Sequence, residues 1–390
     1  MKNLPILILL LALISCQETV TQVATVVDGV ITVNTSDVKD TIGMKLSDLI
    51  ENIEIVLLDS KIEAYAPANN PVTISENYII IPDNDNVKLF DRKTGKFITN
   101  ITSKGNGPGE FRFFMEYNYI NEEKNVVYMV DYIAARNILE FDLQGNFKRQ
   151  IPLADKRSVN YTKFIIDEEN EIITVFSVPY NSIVWQQDFE GNFLTDRAVI
   201  LHDRATKNFP NSSIVNNTFN IYISKYYNKQ DTLYKYDKEN HKINPVFTVK
   251  VNEYAETNVY EDSKFGVSYL ETTDRFIASL RDMKIEKYKE SSYNMNITYV
   301  KHLIVNKDDL TGCYANLKNN FLFNRKIDLL KNSNGYFYES YAPEKLMEII
   351  ENATDEDRKN TDPKILKQID ELYKKLDEES NTTIFLGKLK

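Results

Sequence analysis

The chain has 390 residues, 42% hydrophobic and 27% charged, which is enough apolar material for a sizeable core and excludes wholesale disorder. Its 47 Lys and Arg against 57 Asp and Glu leave a net charge of −10, so nothing draws it generally to nucleic acid or anionic lipid. Two cysteines exclude a disulfide scaffold or a cysteine-built zinc site, and three scattered histidines give no histidine-rich metal site.

The first element is a short positive start, Met1-Lys2, followed by an apolar run over residues 4–14. The run is too short to span a bilayer, which needs about 20 residues, and it fits the hydrophobic region of a secretory signal over residues 1–15. Directly after it stands Leu13-Ile14-Ser15-Cys16. This resembles a bacterial lipobox, in which the cysteine becomes the new N-terminus and carries acyl chains. The resemblance implies that Cys16 is lipidated and that its several chains make a stable anchor. The partner so implied is a membrane, and the location is the cell envelope at the outer membrane, side unassigned. Cleavage before Cys16 leaves Cys313 as the remaining thiol, so no internal disulfide forms. Residues 16–44, rich in Thr, Val and Asp without helical period, read as a tether.

The next stretch repeats. Phe90-Asp91-Arg92-Lys93-Thr94-Gly95, Phe141-Asp142-Leu143-Gln144-Gly145 and Gln187-Asp188-Phe189-Glu190-Gly191 carry one turn signature, with a degenerate copy at Asp237 to Asn240. Aspartate opens the turn by accepting backbone N–H groups, and glycine or asparagine takes the positive-φ corner. The aspartates are 51, 46 and 49 residues apart, near the roughly 40–50-residue period of propeller blades. Each turn is preceded by a run apolar at consecutive positions, as in Tyr78-Ile79-Ile80-Ile81 and Val126-Val127-Tyr128-Met129-Val130. Such a strand is covered on both faces, as a blade between two neighbours is. The fold class is therefore all-β, a six-bladed β-propeller over residues 45–341. The charged stretch 281–290 marks an insertion in the fifth blade.

Residues 343–352 read as a helix with proline in its first turn, 355–359 as a charged loop, and 362–379 as a second helix with one apolar face. Together, residues 342–380 form a short helical extension that docks on the propeller. Residues 381–390 return to strand, and pairing near 53–58 would close the ring.

The segments Asn86-Val87-Lys88-Leu89-Phe90-Asp91, Lys104-Gly105-Asn106-Gly107-Pro108-Gly109-Glu110-Phe111 and Val127-Tyr128-Met129-Val130-Asp131 resemble the six-bladed β-propeller lipoproteins of Bacteroidetes, relatives of NHL-repeat and TolB-like propellers. The resemblance implies fold and compartment and carries no activity to particular residues.

Propeller connectivity puts the loop after each second strand, and the crossover to the next blade, on one face. In the second blade this gathers Glu110, Arg112, Asp131, Tyr132 and Arg136 near the channel mouth as a candidate ligand-binding face. Tyr180, Asn181, Tyr226 and Tyr227 follow in the next two blades. Aromatic platforms with carboxylates and arginines suit a polar ligand, a sugar or a peptide, or an envelope protein; the bland alternative is that Asp131 and Arg136 only satisfy loop backbone and each other. The glycines of residues 105–109 are followed by Glu110, which would repel phosphate, so they serve a sharp turn. No linear catalytic motif, metal motif or cofactor signature is present, and no catalytic residue is assigned. The leading function is a lipid-anchored, non-catalytic binding module. The alternative is a metal-dependent hydrolase or lactonase with one divalent ion, such as Ca2+, in the channel.

Overall fold

In a computed structural model, the structure describes residues 21–113, 115–131, 133–155, 162–177, 182–200, 209–215, 218–224, 230–251, 264–289 and 292–390. Six sheets, each with an antiparallel core of blade strands, follow one another along the chain. Counting from the inner strand outward, blade 1 is Thr73–Ile74, Tyr78–Pro82, Asn86–Asp91 and Phe97–Ser103. Blade 2 is Met115–Asn121, Val126–Asp131, Asn137–Asp142 and Phe147–Pro152. Blade 3 runs from Lys163–Asp167 to Ala198–Ile200, and blade 4 from Phe209–Val215 to Lys242–Lys250. Blade 5 runs from Lys264–Glu271 to Gly312–Asn319. Blade 6 is Asn332–Ser333, Tyr336–Tyr341, Thr383–Lys388 and, outermost, Glu54–Leu57. The fold is a six-bladed β-propeller, as the repeat spacing requires.

The consecutive apolar runs have a direct structural cause. In blade 1, Ile79 and Ile81 pack toward Tyr338, Ile384 and Leu386 of blade 6, whereas Ile80 packs toward Val127, Met129 and Phe141 of blade 2. In blade 2, Val127 and Met129 face blade 1, while Tyr128 and Val130 face Phe164, Ile173 and Val175 of blade 3. Successive strand residues point to opposite sheet faces, so a strand clamped between two blades needs apolar side chains at both parities. Each fully buried aliphatic contributes about 1.5–3 kcal/mol.

The ring closes between the chain's two ends. Thr383–Lys388 pairs antiparallel with Glu54–Leu57 on one side and with Tyr336–Tyr341 on the other. Arg92 of blade 1 then pairs with Glu54, donates to the Ser75 carbonyl and stacks over the Tyr336 ring, tying blade 1 to blade 6.

The repeated turns form as their residues demand. Asp91 Oδ1 accepts the Thr94 amide at 2.7 Å, Asp142 Oδ1 the Asn146 amide at 2.8 Å, and Asp188 Oδ1 the Asn192 amide at 2.8 Å. Gly95, Gly145 and Gly191 sit at φ +72°, +84° and +79°. In the fourth copy the positive-φ corner is His241, not Asn240. The glycines have a second reason for being there. A Cβ on Gly95 would collide with the Leu57 carbonyl of blade 6, one on Gly145 would lie 2.8 Å from the Asn100 carbonyl of blade 1, and one on Gly191 2.7 Å from the Pro152 carbonyl of blade 2. Each turn thus seats against the outermost strand of the preceding blade, a contact that the bare backbone permits.

Three segments extend this ring. Residues 16–44 are expected from sequence to be a tether, and from residue 21 onward they are instead part of the fold. Ala24–Val27 and Val30–Asn34 form a hairpin whose second strand pairs parallel with Lys242–Lys250 of blade 4, and Thr41–Lys45 pairs parallel with Gly312–Asn319 of blade 5. This strap is held by burial of Val33, Met44, Leu46 and Leu49, which the absence of helical period did not reveal. Arg275–Lys289 and Ser292–Asn306 of blade 5 are 15 residues each and pair along their length, so the fifth-blade insertion is a long hairpin extension.

The helices form an insert between the second and third strands of blade 6: α1 (Pro343–Glu351), α2 (Asp355–Asn360) and α3 (Pro363–Tyr373). The expected charged loop at 355–359 is the short helix α2, because Thr354 and Asp357 cap its N-terminus reciprocally. Leu346, Ile350, Ile365, Ile369 and Leu372 bury against Leu46, Leu49, Phe323 and Phe385. No helix among the described residues is long and apolar enough to cross a membrane.

The double constraint on Gly95 is testable against Gly335, which has φ +81° but open space around its Cβ position. Gly335→Ala is expected to cost about 1–2 kcal/mol for left-handed backbone alone. Gly95→Ala is expected to cost distinctly more in chemical denaturation, because the blade 6 carbonyl must also move. Equal losses would refute the interblade role.

Candidate functional site

The crossover from blade 1 to blade 2 and the loop after the second strand of blade 2 meet around a cleft of about 530 Å³. Glu110, Arg112, Asp131 and Arg136 all line it. Tyr132, the fifth residue of the predicted face, lies outside the described residues, as do Tyr180, Asn181, Tyr226, Tyr227 and Cys16. The cleft also takes in Phe147 and Gln150 from the outermost strand of blade 2. Among the described residues it thus extends outward along the blade.

The crossover is a built loop. Glu110 accepts the Gly107 amide at 2.7 Å, and its own amide donates to the Gly107 carbonyl. A Cβ on Gly105 would collide with the Glu110 carboxylate, which explains glycine there. Gly109, at φ +79°, lies so close over the Phe147 ring that a Cβ would come within 2.6 Å of it, and its carbonyl accepts from Thr102 Oγ1 at 2.5 Å. This packing carries Phe147 into the cleft. No sequence signal marked Phe147 as a lining residue, because its pattern is that of the aromatic that restarts a strand.

Asp131 ties the two loops together: its Oδ1 accepts the amides of Arg112 at 3.1 Å and Phe113 at 3.2 Å. Burial pushes its carboxyl above the usual aspartate range, against those two hydrogen bonds and the nearby Arg112 charge. Both carboxylates of the cleft are thus engaged by main-chain donors. The guanidiniums of Arg112 and Arg136 are exposed, and neither makes an ion pair or hydrogen bond with another described residue. Asp131 does satisfy loop backbone, and it makes no ion pair with Arg136. In blade 1 the equivalent loop is closed instead: Asp83 pairs with the buried Lys88 at 2.9 Å and accepts the Asp85 and Asn86 amides.

The described residues of the lining include no serine, cysteine, histidine or lysine. A Ser–His pair exists elsewhere, between Ser279 and His302 on adjacent strands of blade 5, with Oγ 2.9 Å from Nδ1. His302 Nε2 lies 2.7 Å from the Ile327 carbonyl and must donate to it, so Nδ1 accepts from the serine hydroxyl. Both side chains are buried, so this pair is core polar structure. Burial pushes the His302 pKa down, partly offset by its bond to Ile327 and the charge of Asp328, and reinforced by Lys326 and Arg281. Among the described residues no group of three or more His, Cys, Asp or Glu lies together in a form that could hold a metal ion. The Asp167–Asn170 turn is closed on itself, with the Asn170 amide and side chain donating to Asp167, while Glu168 pairs with Lys124 of blade 2.

The model of a domain of unknown function, DUF4934, matches residues 29–388, so the chain belongs to the DUF4934 family. The match takes in most of the strap and the last strand of blade 6. Among solved structures, a candidate exported protein from Bacteroides fragilis is 16% identical, with 90% of this chain and 100% of that one covered at a TM-score of 0.56. That likeness shows the fold. A member of the DUF4221 family from Bacteroides vulgatus is 11% identical over 88% of this chain and 98% of its own, at a TM-score of 0.47. No curated protein matches.

Two expectations follow. Asp131→Ala strands two loop amides, which costs about 1–3 kcal/mol and raises hydrogen exchange across 106–113; unchanged exchange there would show that Asp131 does not hold the crossover. Burial lowers the His302 pKa in the fold below that of an unfolded histidine, about 6.5, so the unfolded chain takes up the proton first and stability falls as pH drops through that range. His302→Gln should flatten this slope between pH 7 and 5 whatever its net cost.

Proposed function

We propose that this DUF4934 protein is a lipid-anchored envelope propeller that binds a polar ligand without transforming it, using the cleft on blade 2. The observation that carries the reading is the imbalance of engagement in that cleft. Its two carboxylates are spent on backbone amides, whereas its two guanidiniums make no ion pair or hydrogen bond with another described residue, and Phe147 lines the same cleft. An unpaired arginine offers a planar fork of donors that matches a carboxylate two bonds at a time. An aromatic face beside it accepts the apolar side of a sugar ring or a peptide side chain. The chemistry most suited to the cleft is therefore a small polar ligand bearing a carboxylate. A volume of about 530 Å³ is in the range of small-ligand sites.

The envelope location draws on the lipobox-like Leu13-Ile14-Ser15-Cys16 and on the fold likeness to the Bacteroides fragilis protein described as an exported candidate. The relationship to NHL-repeat and TolB-like propellers remains part of this proposal, resting on the motifs of residues 86–131.

The test is binding of uronic-acid oligosaccharides, their neutral counterparts and short peptides to the purified protein, measured by calorimetry. Acidic ligands should bind and neutral analogues should not. Arg136→Ala and Arg112→Ala should each weaken binding by roughly tenfold, as loss of a charge-assisted hydrogen bond of about 1.5 kcal/mol requires. Binding indifferent to both substitutions would remove the cleft from the function.

A further inference from the structure

The start of the described chain is pinned to one place on the ring. Gln22 bridges to Thr311, the Gly312 amide donates to the Thr21 carbonyl, and the amides of Val23 and Ala24 both donate to the Leu310 carbonyl. Residues 307–311 are the turn between the third and fourth strands of blade 5, at the rim of the propeller. Val23 and Ala24 are buried there among Leu303, Val305 and Leu280, so this attachment is part of a core cluster.

Covalent geometry limits what lies before it. Five residue steps separate Cys16 from Thr21, and a fully extended chain covers at most about 3.6 Å per step, or ~18 Å in all. An acylated Cys16 sits at the bilayer surface, so the blade 5 rim at Thr21 cannot lie more than that distance from it. The candidate cleft is elsewhere. Blade 2 stands three blades from blade 5 in a ring of six, across the central axis. The cleft is also built from a second-strand loop and a crossover, which emerge on the opposite side from third-to-fourth-strand turns.

We infer that in the acylated protein the rim of blade 5 faces the lipid surface, while the cleft on blade 2 is held away from it and opens toward the aqueous side. The inference rests on the anchoring reading of Cys16 and extends it from attachment to orientation. Charge does not supply the orientation. Asp308 and Asp309 stand in the very turn that lies nearest the anchor, and an anionic surface would repel them. The short link alone sets the geometry, so the ordering of distances should persist at high salt. The consequence is functional: a ligand or partner reaching the cleft from the aqueous side meets no bilayer.

The experiment uses the full-length acylated protein in phosphatidylcholine vesicles containing a phosphatidylcholine spin-labelled at its headgroup. A fluorophore is attached at Asp308→Cys in one variant and at Asn106→Cys in another; both positions are exposed, and the native Cys313 is buried. Quenching should be severalfold stronger at Asp308→Cys than at Asn106→Cys, at low and high salt. Inserting a 20-residue Gly-Ser segment after Gln17 should reduce the difference. Equal quenching at the two sites, or the reverse order, overturns the orientation. Cys16→Ala separates the two claims: it should release the protein from the vesicles. If it stays bound, the anchoring reading fails; if it is released while the acylated protein shows the reverse order, only the orientation fails.

Discussion

The molecule depends on one constraint: each blade must hide two apolar faces, and only a neighbouring blade can cover either. Ile79, Ile80 and Ile81 are successive residues that need two different partners, one in blade 6 and one in blade 2. No open stack of sheets satisfies that for the first and last members. A closed ring does, and it explains why the chain's early strand, Glu54–Leu57, is used to finish the last blade. The repeat glycines belong to the same constraint, since they bring each turn onto the preceding blade's outer strand.

The ring leaves its connections free to differ, and they differ in a patterned way. Blades 1 to 3 are plain four-stranded sheets, whereas blades 4, 5 and 6 carry the strap, the long hairpin and the three helices. The candidate cleft lies in the plain half. It exists because a glycine-rich crossover folds back over the outer half of blade 2 and Asp131 fastens it there. The carboxylates are consumed by backbone, while the guanidiniums find no partner among the described residues. In blade 1 the equivalent position is neutralised by the Asp83–Lys88 pair. The same loop position is therefore structural in one blade and available in the next.

Much of the fold was legible in the residues. The turn aspartates and their spacing express a local hydrogen-bonding requirement that any context must meet, and runs apolar at both parities identify strands covered on both faces. The apolar stripe from Ile365 to Leu372 likewise marked a docked helix. Less was legible of the site. Connectivity brought Glu110, Arg112, Asp131 and Arg136 together because loops at one end of a blade are neighbours whatever their sequence. It could not say which of their charges would be spent, nor that Phe147 would join them.

The sequence by itself determined the repeat, the strand content and the local turn chemistry, because these follow from backbone hydrogen bonding and from alternation within a few residues. Tertiary structure alone decided the rest. Ala24 to Lys45 carry strands of only four or five residues, too short to declare themselves, and they are placed by pairing with strands more than 200 residues away. The engagement of Glu110 and Asp131 by amides, and the gathering of the two arginines into the same cleft, depend on distances between loops. Those distances are set by how blades pack, which no local pattern encodes.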